Sequence, residues 1–598
     1  MAENEETPGA AVDDEIKPYK IHVSSKYLKL TKQKLELTRL PHEGADPPSE
    51  DWWEPKPQVE SLVDFWLEKY SWRDQEEILN KTPQFRTAIS ISGSEAPLRL
   101  HFVHVKSPHE HALPLLVIPP FPFSNLALLH LVRLFTEPED AATNQPFHLV
   151  MPALPGLGFS DPLPTNTPEI STTAEMLNTV MARLGYQHYL ATNAGPAQHS
   201  PAEIDWKLIS HLSTQYPGSC IGAHFIAPSL AKPKLSEAPI EWAKWTIASA
   251  FSAGILGYSE QDFSALKSTP GAQSPRKKKD LMPSKLGLNA VGLREPNTLA
   301  YAMCDSPVGL LAFAMKGLGH QAPQMQFTPE QIITFANLAW LPGPEYSMRF
   351  WARCAAQNRD KMQEKKTTVN NKPQVGITVF LGGEDDDGMD DATTSQEVGQ
   401  GAIKLGSPTK VTPGAAYACP AWGNTHYNVL FSQRVSGKAG LLAWERPDVI
   451  LAGIRGLAAE VLKVDKRLQP EHATPTAPLE DVVVAQESAT KDDGGLKPPP
   501  RPTLEQGESS KTQVAEEPAT QDDGLKPPPR PVLEQGDSSQ TQVASEPPAS
   551  PKGKLPEAKP DDAVKPNWDN RDETDSPRRG TPDTIVMVTA PTGEETRE

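Results

Sequence analysis

His148-Leu149-Val150-Met151-Pro152-Ala153-Leu154-Pro155-Gly156-Leu157-Gly158-Phe159-Ser160 is the stretch whose reading decides the fold. A short apolar run, His148 to Met151, stops at a proline and passes into a loop rich in glycine and proline. A run this short, with no polar alternation, marks a strand buried on both faces. Downstream, Ser171 to Leu184 reads as a helix after its Ser/Thr cap candidates, and His188 to Thr192 as the next buried strand. Pro114 to Ile118, Ile221 to Ile226 and Val375 to Leu381 repeat the pattern, whereas Leu98 to Val105 alternates as a half-exposed strand does. Pro447 to Leu462 closes the series as a helix, with Val449, Leu451, Ile454, Leu457 and Leu462 mainly on one face. Strands alternating with helices at this spacing predict an α/β fold with a doubly wound, mostly parallel sheet. Such a sheet carries its site at the carboxyl ends of the strands.

Outside that region the composition changes. The 598 residues are 37% hydrophobic with 62 prolines, too many prolines for packed elements throughout. After about residue 470 Pro, Glu, Asp, Ser, Thr and Lys dominate, and such a segment cannot bury enough apolar area to offset its ordering entropy. The expectation is a disordered tail. Within it, Lys497-Pro498-Pro499-Pro500-Arg501-Pro502 recurs as Lys526-Pro527-Pro528-Pro529-Arg530-Pro531. These cores favour polyproline II and suit an SH3- or WW-type partner, or they are a spacer grown by duplication. A formal charge of −18 argues against a nucleic-acid surface. The basic run Arg276-Lys277-Lys278-Lys279 follows Ser274-Pro275 and reads as a solvated loop.

Cys220, Cys304, Cys354 and Cys419 are widely separated, without the spacing of a metal or redox site, and read as buried free thiols in a reducing compartment. No metal and no cofactor is expected. Met1 to Asp14 lacks a secretory pattern, and no stretch approaches the ~20 apolar residues of a spanning helix. A cytoplasmic protein with no membrane span is the expectation.

Two blocks carry a family likeness. The first is Thr38-Arg39-Leu40-Pro41, Phe65-Trp66, Ser71-Trp72-Arg73, Pro83-Gln84-Phe85 and the strand ending His101-Phe102-Val103-His104-Val105. The second is Pro152 to Ser160 with Asp305-Ser306-Pro307-Val308-Gly309-Leu310 and Trp444-Glu445-Arg446-Pro447. In this order the blocks resemble the microsomal-type epoxide hydrolases, of which the chain looks like a divergent member. The resemblance implies an α/β-hydrolase fold: residues 1–18 disordered, 19–110 an N-terminal meander, 111–235 and 366–466 the two halves of the core, 236–365 a helical lid, and 467–598 the tail.

The family reaction needs an elbow carboxylate to attack the epoxide, lid tyrosines to hold its oxygen, and an acid-oriented histidine to activate water. A His-Gly-x-Pro turn supplies an oxyanion donor. Here that turn is Pro119-Pro120-Phe121-Pro122, and counting from the preceding strand puts Gly195 at the nucleophile position. The other carboxylates in reach are Asp205, in an Asp205-Trp206 pair that comes about ten residues late, and Glu203. Ser200-Pro201-Ala202-Glu203 also reads as a helix cap. Gly440 stands where the base belongs, and His426 is the displaced alternative or a structural histidine. Glu384 and Asp385 fall at the acid position within an acidic run. Leu288 and Ala339 replace the tyrosines, with Tyr346 near by.

Three functions follow from this reading: a catalytically silent homologue that binds a partner or, in an apolar cavity, a small apolar molecule; an epoxide hydrolase using Asp205 or Glu203 with His426 and Glu384; or a scaffold acting through its tail. The second requires a carboxylate and His426 to converge within about 4 Å or one water at the strand ends.

Overall fold

Among the described residues nine strands form one sheet, and their order explains why the apolar runs carry no polar alternation. The strands are β1 (Ile16–Pro18), β2 (Gln84–Ile89), β3 (Leu98–Val105), β4 (Leu113–Ile118), β5 (Phe147–Pro152), β6 (Tyr189–Asn193), β7 (Cys220–Ile226), β9 (Gln374–Phe380) and β11 (Asn428–Val435). Two short pieces, β8 (Gln326–Phe327) and β10 (Ile403–Lys404), pair separately. The order in the large sheet is β1-β2-β3-β5-β4-β6-β7-β9-β11, antiparallel from β1 to β5 and parallel from there on. The computed structural model describes residues 15–42, 56–197, 200–268, 295–321, 325–360, 372–382, 403–404 and 417–468.

Helices cover both faces of the parallel part. In chain order they are α1 (Ser25–Glu36), α2 (Lys56–Glu68), α3 (Trp72–Leu79), α4 (Val132–Thr136), α5 (Glu169–Arg183), α6 (Ile204–Gln215), α7 (Pro239–Phe251), α8 (Glu260–Ser268), α9 (Pro296–Asp305), α10 (Pro307–Gln321), α11 (Pro329–Trp340), α12 (Glu345–Asp360), α13 (Leu442–Glu445) and α14 (Pro447–Val464). Met176, Leu177 and Val180 of α5 and Leu208 and Leu212 of α6 pack on one face, against Leu116, Ala191 and Phe225. Ile450, Ile454, Leu457 and Val461 of α14 pack on the other, against Leu115, Leu190 and Ile221. Because successive strand residues point to opposite faces, Leu115 and Leu116 enter different cores, and both are buried to within 1%. Each such side chain contributes about 1.5–3 kcal/mol by leaving water.

Among the described residues six helices, α7 to α12, fall inside the expected lid. The N-terminal segment holds part of it: Val59, Leu62 and Trp66 of α2 pack with Leu311, Met315, Ile332 and Ile333 of α10 and α11. Trp340 Nε1 of α11 donates to Thr31 Oγ1 of α1 at 2.9 Å. The start of α11 is locally encoded by a reciprocal capping box between Thr328 and Gln331, followed by Pro329.

Several expectations need correction. Residues 16–18 are not disordered: Ile16 pairs with Thr87 and Pro18 with Phe85, so β2 orders a segment too short to show a pattern of its own. The folded part runs two residues past its expected end, because Leu468 is buried and Arg467 Nη1 donates to the Gly218 carbonyl at 3.0 Å. The helix expected from Ser171 starts at Glu169, behind Pro168 and with no side-chain cap. Cys220, Cys354 and Cys419 are buried free thiols, but Cys304 is exposed on α9, its Sγ 3.1 Å from Glu345 Oε2. The tail repeats and Arg276 to Lys279 lie outside the described residues.

Candidate active site

Strand β6 delivers the chain to the carboxyl edge of the sheet, where the Ala194 amide donates to the Ile118 carbonyl at 3.0 Å. The Asn193 side chain then accepts from the Ile226 amide at 3.2 Å and donates to the Gly195 carbonyl. These bonds bend the chain away from β6, but α6 starts only at Ile204. A 3-10 turn over Pro201–Glu203 intervenes, with Ala202 and Glu203 held left-handed at φ +56° and +55°. The elbow is a drawn-out turn, as the mismatched registers imply.

Three segments meet at this edge: Pro120 and Phe121 after β4, Ala194 to Pro196 with Ser200 after β6, and Gly440 to Trp444 after β11. These are the places of the oxyanion turn, the nucleophile and the base in an α/β hydrolase. None of the described residues lining the junction has a titratable side chain. At Gly195 a Cβ would lie 2.7 Å from the Pro120 Cβ, so the ring of Pro120 fills the space a nucleophile would need. Pro196 follows, and its missing N–H removes the donor that the residue after a nucleophile normally contributes. Gly440 has φ +59°, and a Cβ there would overlap the carboxylate of Glu445, which accepts from the Leu441 amide at 3.2 Å. Burial pushes the Glu445 pKa up, partly countered by that amide and by Arg446.

The volume left is about 10 Å³, room for about one water. The expected apolar ligand cavity is therefore not at this junction. The Pro120 ring stands where a side chain at Gly195 would go, and the Glu445 carboxylate where one at Gly440 would go.

The three displaced candidates do not assemble. Asp205 is fully buried in the first turn of α6, and among the described residues neither carboxylate oxygen has a hydrogen-bond partner. Burial raises its pKa to about 7, against smaller lowering effects of the Ser200 hydroxyl, the Asp205 and Trp206 amides and the Asn193 side chain. His426 is exposed and precedes β11, at the amino end of the sheet. The eight residues of β11 separate that end from the junction, a rise of about 25 Å. Convergence within about 4 Å is not met. Glu384 and Asp385 lie outside the described residues. Glu203 accepts from the Ser229 hydroxyl and pairs with Lys207 at 3.4 Å, the behaviour of a structural carboxylate.

The lid positions repeat the theme. Ala339 is half-buried on α11 and offers no donor, and Leu288 lies outside the described residues. Tyr346 is 37% exposed, with its Cβ against Gly156 and its ring under Arg349, and it is not part of the junction.

Residues 16–128 match the family model for the epoxide hydrolase N terminus. A putative epoxide hydrolase of Stigmatella aurantiaca is 28% identical over 340 residues, covering 54% of this chain and 66% of that protein. The chain is similar in sequence to epoxide hydrolases over these spans. Juvenile hormone epoxide hydrolase 1 of Ctenocephalides felis is also 28% identical, over 55% of this chain and 62% of its own length. The chain thus spans just under two thirds of the length of these curated relatives. Juvenile hormone epoxide hydrolase from the silkworm Bombyx mori superposes with a TM-score of 0.53 at 20% identity, covering 76% of this chain and 96% of that one. That likeness is one of fold.

Sequence reading finds the vacated positions of this chain but misses what fills them. Pro196 was legible only as the residue after Gly195, and Ser200 only as the start of a helix cap. The five-residue spacing of Gly440 and Glu445 was the one signal that a carboxylate could cover the base position.

Proposed function

We propose that this protein is a catalytically silent member of the epoxide hydrolase group and acts by binding. The carrying observation is the junction itself: a Cβ at Gly195 would lie 2.7 Å from the Pro120 ring, and Glu445 covers Gly440, so neither nucleophile nor base has a place. Losing members of a catalytic unit together leaves little beyond binding. The relocated mechanism has less support, because Asp205 is buried at one end of the sheet and His426 exposed at the other.

A panel of chromogenic epoxides offered to the purified chain tests this. The expected result is hydrolysis no faster than in buffer, unchanged in Asp205→Asn and in His199→Gln. His199 adjoins Ser200 in sequence and lies outside the described residues, which is why it belongs in the test. Turnover that either substitution abolishes overturns the silent assignment.

A further inference from the structure

Lys232, on the loop between β7 and α7, brings its ammonium over two indole faces at once. Its Nζ lies 5.6 Å from the Trp245 ring centre and 5.7 Å from that of Trp422. Trp245 belongs to α7, and Trp422 to the 3-10 turn Pro420–Thr425 that precedes β11. Their planes stand at 86° with ring centres 5.3 Å apart, so the two rings form the walls of a corner. Tyr258, tilted at 5.3 Å from Trp245, and Phe263, stacked on it at 5.9 Å, support the first wall. Lys232 is itself exposed, and among the described residues its ammonium has no carboxylate partner. The negative faces of the two rings are what hold it.

A corner of this kind selects positive charge without a carboxylate, and it favours a cation that sheds water readily. A lysine ammonium is compact and strongly hydrated, so at an exposed site it gains little from ring faces. A quaternary ammonium is bulkier, donates no hydrogen bond to water, and is the guest that aromatic cages recognise. Two buried donors belong to the same rings and have no partner among the described residues: Trp422 Nε1 and the Tyr258 hydroxyl. Their side chains are only 4% and 5% exposed. A buried donor left unmet is destabilising, so an acceptor oxygen carried beside the cation would find a use here. Residues 227–238, which bear Lys232, contain neither helix nor strand, and the lysine can leave the corner without disturbing either.

We propose that Trp245 and Trp422 form a binding site for a quaternary ammonium group carrying an acceptor oxygen, the choline class, and that Lys232 is the tenant such a ligand displaces. The site shares no residue with the junction of Pro120, Gly195 and Gly440, so it stands or falls apart from the question of epoxide turnover. Calorimetric titration of the full chain with choline at fixed ionic strength tests it, beside dimethylbutanol, the uncharged isostere with carbon in place of nitrogen. The expected result is saturable binding of choline and none of dimethylbutanol. Choline binding should tighten about three- to sixfold in Lys232→Ala, where the tenant is removed, and weaken at least about tenfold in Trp245→Leu. Lys232 is exposed, so its variant keeps the test decisive even where Trp245→Leu fails to fold. No saturation by choline with either the parent or Lys232→Ala, equal binding of the two isosteres, or an affinity that Lys232→Ala or a folded Trp245→Leu leaves unchanged would each overturn the assignment.

Discussion

Replacing Asp205 by asparagine makes the folded chain more stable near pH 8 and changes it much less near pH 5. The carboxyl is wholly buried, with no hydrogen-bond partner for either oxygen among the described residues, and its pKa is about 7. In an unfolded chain an aspartate titrates near 4. Between about pH 4 and pH 7 the folded state therefore keeps a proton that the unfolded state has lost, and stability falls as pH rises through that window. Above it the folded state holds a buried charge with no counter-ion among the described residues. The whole difference is about 4 kcal/mol, of which about 2–3 kcal/mol falls between pH 5 and pH 8. Asparagine does not titrate, so the gap between variant and parent should open by that amount in urea unfolding at the two pH values. A gap independent of pH would mean that Asp205 is ionised and paired in the folded chain.

Removing Arg434 alone should cost about 3–5 kcal/mol, because it strands the carboxylate of Asp262 in the interior. Arg434, near the end of β11, meets Asp262 of α8 in a two-pronged pair, Nε to Oδ1 at 2.7 Å and Nη2 to Oδ2 at 2.8 Å. Asp262 is fully buried and also accepts from the Tyr417 hydroxyl at 2.5 Å and the Ser259 amide at 2.8 Å. This cluster ties the lid to the sheet. In Arg434→Met the remaining charge keeps two donors but loses its counter-ion. The double variant Arg434→Met/Asp262→Leu removes the stranded charge and should recover much of the loss, although Tyr417 then loses its acceptor. Chemical denaturation measures both. A single-variant cost under about 1 kcal/mol would show the pair to be solvated and the lid to be held elsewhere.

The strands were legible because burial on both faces writes itself as short continuous apolar runs. Pro114 to Ile118 and Ile221 to Ile226 are found within a residue of β4 and β7. Strand β1 was not legible, since three residues next to an acidic terminus carry no period and are ordered only by pairing with β2. The empty catalytic positions could be counted from the strands. Their consequence could not, because the distance from Pro120 to Gly195 is set by β4 lying beside β6, two strands separated by some seventy residues of chain. His426 shows the same limit: its nearness in sequence to Gly440 conceals a strand that carries the two to opposite ends of the sheet.

By itself, the sequence determined the architecture and the glycines, Gly195 and Gly440, at the two counted positions, since apolar period and residue type are local properties of the chain. Tertiary structure alone decided that these places are closed rather than vacant, that Asp205 and His426 stay apart, and that Lys232 meets the faces of Trp245 and Trp422. Those outcomes depend on which distant backbones come within a few ångströms of each other, and no local pattern encodes that distance.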